Sequence, residues 1–112
     1  MKFKNCFIGG KNSVWKTESL IELSKNLPIF RFNITKISLN EIIRWRIIYL
    51  KDYVNHYKRV KESDLSIPII LRSDGYVMDG WHRIIKALSK NKTTLPARQF
   101  EIDPKPDFKI GG

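Results

Sequence analysis

Cysteine, histidine and acidic side chains are scarce in this chain, with one cysteine, two histidines and 11 Asp and Glu against 21 Lys and Arg in 112 residues. A lone Cys6 cannot close an intrachain disulfide, so nothing calls for an oxidising compartment. Two histidines without a cysteine pair argue against a structural zinc site. No apolar run approaches the roughly 20 residues of a membrane helix, and no charged, apolar, small-residue leader opens the chain. The expectation is a cytoplasmic protein without membrane contact, in which the sequons Asn33-Ile34-Thr35 and Asn91-Lys92-Thr93 are accidental.

The shortage of acid leaves a net charge of +10. Lysines and arginines run from Lys2 to Lys109 without forming a block, which is unlike a disordered basic arm. Such a surface concentrates nucleotides and attracts any polyanion weakly and in a salt-sensitive way. At this length one compact domain is expected, burying roughly two thirds of its unfolded surface without help from metals or disulfides.

The most informative stretch is Asp79-Gly80-Trp81-His82-Arg83. It follows an apolar segment, Ile67 to Leu71, a turn at Ser73-Asp74-Gly75 and a short return strand at Tyr76 to Met78. It precedes a predicted helix from Trp81 to Asn91, with Trp81, Ile84, Ile85 and Leu88 on one face. A helix that starts directly after a glycine presents unpaired N–H groups and the positive end of its dipole. His82 and Arg83 add side-chain donors there, and the simplest ligand is a phosphate. The guanidinium of Arg83 suits it best, being planar and charged at any relevant pH.

These residues, with Pro68 to Leu71 before them and Lys86-Ala87-Leu88 after, resemble the shared core of the ParB/sulfiredoxin superfamily. The resemblance is firm from Asp64 to Phe100 and looser from Leu27. It implies an α+β fold, a small mixed β-sheet with packed helices, and a nucleotide whose phosphates lie at the strand-to-helix turn. Trp81 stands where sulfiredoxin has its nucleophilic cysteine, so sulfinic acid reduction is not expected. ParB partition proteins add a helix-turn-helix and a dimerisation domain, for which 112 residues leave no room. The pattern D-G-x-H-R is most similar to that of the superfamily's free-serine kinase.

Each site residue has a plain reading beside the functional one. Asp79 either caps the helix or serves as base or Mg²⁺ ligand. Trp81 is either a core anchor or a wall of the pocket. His56 and Arg59, three apart on a helical segment, either bind a second phosphate or the substrate, or form a half-buried histidine and an ion-pair partner of Glu62 or Asp52. The resulting expectation is a nucleotide or phosphorylated small molecule bound by Gly80, Trp81, His82, Arg83, His56 and Arg59. Mg²⁺ would arrive near Asp79, and phosphoryl or other group transfer would involve Asp79 and His82. The alternatives are a non-enzymatic DNA-associated module of the ParB type and a small toxin-like transferase using NAD. Base, acceptor and oligomeric state stay open.

Elsewhere the pattern predicts a strand at Lys2 to Ile8, a capping box at Ser19 to Glu22 opening a helix that stops before Pro28, and a strand at Ile29 to Ile34. Gly10-Lys11-Asn12-Ser13 is not a phosphate loop, since Asn12 stands where Ser or Thr should follow the lysine and Asn5 where the motif has its first glycine. A second capping box, Ser38 to Glu41, precedes Ile43, Ile47, Leu50, Val54 and Tyr57, read as the core face of one long helix or of two broken near Tyr49-Leu50. Arg44, Arg46, Lys51, Lys58 and Lys61 fall largely on its solvated side. A strand through Pro96 from Thr93 to Phe100 completes a domain over residues 1–102. The remainder, 103–112, with Pro104, Pro106 and Gly111-Gly112, is expected to be mobile.

Overall fold

Ile69, Ile70 and Leu71 are all buried, and this strand organises the molecule. Ile69 and Leu71 face one core with Ile34, Val77, Ile84, Ala87, Leu95 and Ala97. Ile70 faces a second core with Trp15, Leu20, Met78 and Phe100. A strand covered on both sides has no polar alternation, which is why the sequence reads as an unbroken apolar run. The structure is a computed structural model that describes residues 6–9, 13–38 and 49–110. The predicted features at Lys2 to Asn5, at Gly10 to Asn12, at Leu39 to Ile48 and at Gly111-Gly112 lie outside the described residues.

In chain order the described elements are β1 (Cys6–Ile8), β2 (Ser13–Lys16), α1 (Thr17–Ser24), β3 (Phe30–Asn33), α2 (Leu50–Glu62), β4 (Ile69–Leu71), β5 (Val77–Asp79), α3 (Trp81–Ser89), β6 (Thr94–Gln99) and β7 (Phe108–Lys109). They form a mixed sheet ordered β3-β6-β4-β5 and a small antiparallel sheet ordered β1-β2-β7. In the mixed sheet β4 and β6 are parallel while both outer pairs are antiparallel. The fold is compact α+β, with three helices among the described residues. None of these helices is long and apolar enough to cross a membrane.

The turn between β4 and β5 forms as the sequence predicts. Gly75 N–H donates to Arg72 O at 2.9 Å, and Gly75 sits at φ 89°, where a side chain would be strained. Asp74 fixes the turn by pairing with Arg72 at 2.7 Å and accepting the Tyr76 N–H. The Arg72 partner holds the Asp74 carboxyl below its usual range.

Four expectations need correction. The Ser19 capping box does not form: α1 starts two residues earlier, at Thr17, and Asp107 from the far end of the chain accepts the Lys16 N–H at 2.7 Å and the Ser19 hydroxyl at 2.8 Å. The segment from Asp103, read as a mobile tail, is docked. Asp103 accepts from the backbone and hydroxyl of Ser73, Trp15 Nε1 donates to Pro104 O, and β7 pairs with β2.

The face Leu50, Val54 and Tyr57 of α2 is not core. Leu50 is 80% exposed and Tyr57 55%, while Asp52, His56 and Val60 form the half-buried face. α2 itself starts at Leu50, where the alternative of two helices places the break. In α3 the inward face is Trp81, Ile84 and Ala87, and Leu88 is exposed. That helix stops at Ser89 because Asn91 turns to φ 60°, a conformation asparagine tolerates, and Lys92 N–H closes back on Ala87 O.

Candidate functional site

Gly80 is the first element of the site. It is the N-cap of α3 at φ 123°, a region closed to most side chains. It is also pressed against β4: an added Cβ would lie 2.8 Å from the Cβ of the fully buried Ile69. The glycine lets the chain leave β5 and enter α3 directly over β4. No side chain caps this helix start, and its first turn contains no acidic residue. The first-turn N–H groups therefore keep the positive character of an uncapped N-terminus.

Asp79 and Arg83 pair with each other across the start of α3. Arg83 Nη2 donates to Asp79 Oδ2 at 2.8 Å, and their side chains are only 12% and 23% exposed respectively. Arg83 Nη1 donates in addition to the carbonyls of Ile67 at 3.1 Å and Pro68 at 3.0 Å. The guanidinium thus staples the start of α3 to the segment leading into β4. The capping role expected of Asp79 is not taken up, because its carboxylate has turned to the arginine one helical turn ahead. Sequence reasoning missed the pair, although an acidic residue four before an arginine is the signal for it.

Among the described residues the charge at contact distance from the Asp79 carboxylate is the Arg83 guanidinium, so a Mg²⁺ held there by one carboxylate and a ligand's phosphates would have to compete with that ion pair. Trp81 packs half-buried against the core that contains Ile84 and Leu71, as an anchor for the helix start.

His56 and His82 are brought together. His56 Nδ1 lies 2.9 Å from His82 Nε2, with ring centroids 5.2 Å apart and planes inclined by 23°. A centroid separation that large with so short a nitrogen contact means that the rings meet edge to edge, not face to face. One imidazole donates and the other accepts, so the two carry complementary tautomers. Burial first, then the charges of Arg59, His56 and Arg83, push His82 down to about 4. Burial and Arg59 lower His56 as well. Both rings are neutral at pH 7.

Arg59 is exposed on α2, one turn from His56, and its charge is felt by both imidazoles. α2 is held in this position by a contact the sequence did not announce. Lys86 of α3 donates its ammonium to the carbonyls of Lys61 at 2.8 Å and Ser63 at 2.6 Å, capping the C-terminal end of α2. The site therefore consists of an uncapped helix start, two neutral hydrogen-bonded imidazoles and an arginine beside them. It offers donors and positive potential, which suits an anion, with the Asp52 carboxylate of α2 also close enough to His56 to act on it.

No family model, no curated protein and no solved structure matches this chain.

Proposed function

We propose that the protein binds a nucleotide or phosphorylated small molecule in the cytoplasm, with the phosphate at the start of α3. The observation that carries this reading is the contact of His56 with His82 beside a helix N-terminus that no side chain caps. The first-turn N–H groups are the ligand-facing donors, with the charge of Arg59 and the imidazole pair beside them, while Gly80, Trp81, Asp79 and Arg83 shape and hold the turn. The succession of β4, glycine turn, β5, Gly80, α3 and β6 supports a ParB/sulfiredoxin-like fold with its phosphate turn at this place.

Burial, the largest cause of the lowered His82 pKa, persists when a phosphate binds, while the phosphate offsets the charges of Arg59 and Arg83 and so moves that pKa upward. Group transfer, if it follows binding, has the imidazoles as its proton acceptors, since Asp79 is occupied by Arg83.

The test is a melting-temperature panel with adenine, cytosine and guanine nucleotides, NAD and inorganic phosphate, each with and without Mg²⁺. A rise with one nucleotide that is lost in Arg59→Ala and His82→Gln, both still folded, supports the reading. No rise with any phosphate compound contradicts it.

A further inference from the structure

The exposed face of α2 is the feature that the phosphate site leaves unexplained. Tyr53 and Tyr57 are four residues apart on one side of the helix and are 59% and 55% exposed, with Leu50 beside them. The Lys61 ammonium sits 5.5 Å from the Tyr57 ring centroid, and Lys51 and Lys58 are exposed further round the same helix. The stripe turns away from His56, which points to α3. We infer that this face is a stacking platform for single-stranded nucleic acid, with Tyr53 and Tyr57 under successive bases and the three lysines along the phosphates.

Charge and chemistry favour this occupant. The helix carries Lys51, Lys58, Arg59 and Lys61 against Asp52 and Glu62, within a chain of net charge +10. A second copy of the chain would bring two such surfaces, lysine stripe against lysine stripe, into contact. A polyanion lowers that potential and releases counterions. Phenol rings present a flat apolar surface to any base while their hydroxyls stay in water, and alternation of aromatic and basic residues is how sequence-tolerant single-strand binders are built. Duplex DNA keeps its bases stacked inside and cannot use the rings.

Fluorescence anisotropy of the whole chain with labelled oligothymidylate and with a duplex of equal length tests the inference. The single strand should bind more tightly than the duplex. Tyr53→Ala and Tyr57→Ala should each weaken single-strand binding by roughly tenfold, whereas Tyr53→Phe and Tyr57→Phe should retain it. Changing Lys51, Lys58 and Lys61 to glutamine should flatten the salt dependence. Because both rings are more than half exposed, the variants should fold, and a melting curve verifies this. Equal affinity for duplex, unchanged affinity in the folded alanine variants, or no single-strand binding overturns the platform. So does a dimer in sedimentation that Tyr53→Ala dissociates, since a second copy would then hold the face.

Discussion

Arg83 and Asp79, four residues apart across the start of α3, form an ion pair of 2.8 Å that is largely shielded from water. The remaining bonds of the guanidinium go to the Ile67 and Pro68 carbonyls. A residue that the motif offers as a phosphate ligand therefore ties helix, strand and turn together. Removing it leaves a partly buried carboxylate and two carbonyls without their donor.

Arg83→Ala should lower unfolding free energy by roughly 2–3 kcal/mol, the range for lost charge-assisted bonds and a broken shielded pair. Urea denaturation measures it. A midpoint equal to wild type would show that the guanidinium contributes nothing to the fold and is available to a ligand.

The two glycines with positive φ separate strain from crowding. Gly75 has nothing within 4 Å of an added Cβ, so Gly75→Ala should cost only the backbone term, about 1–2 kcal/mol. Gly80→Ala adds a collision with buried Ile69 and should cost on the order of 3 kcal/mol or more. Equal losses in the two variants would contradict the packing of Gly80 on β4.

His56 and His82 set a pH dependence of known sign. Their folded pKa values lie below the unfolded value of 6.5, with His82 at about 4. Between those limits the unfolded chain binds more protons, so stability is complete above pH 6.5 and falls as pH drops toward 4. Melting temperature against pH should show this slope, and His82→Gln should flatten it. A His82→Gln profile as steep as wild type would remove the pair as its source.

Much of the site's frame was legible because it is encoded locally. The apolar run at Ile69 to Leu71, the Asp74-Gly75 turn and the glycine before Trp81 each dictate their own backbone. The orientation of α2 was not legible. Leu50, Val54 and Tyr57 carry the apolar period, yet the helix is seated by polar contacts, His56 to His82 and Lys86 to the Lys61 and Ser63 carbonyls. Periodicity registers burial of apolar groups and is blind to a helix held through an imidazole and a capped end. The docking of Asp103 to Lys109 escaped for a related reason: two carboxylates find partners roughly 30 and 90 residues away in sequence.

Asp107 is one tether of that segment. Its carboxyl is held below the usual range first by the Lys16 N–H, and Ser19 adds a second bond. Asp107→Ala should cost about 1 kcal/mol, as for a lost helix cap, and speed amide exchange at Phe108 and Lys109. Exchange unchanged in the variant would show that β7 is held by other contacts.

The most direct measurement is nuclear magnetic resonance titration of the backbone amides and imidazoles with the nucleotide that raises the melting temperature most. Phosphate binding at the helix start predicts saturable shifts concentrated at Gly80 to Ile84, at Arg59 and at the His56 and His82 rings, with a rise in the His82 pKa. Saturable shifts that leave these residues unmoved and fall elsewhere would contradict the assignment of the site.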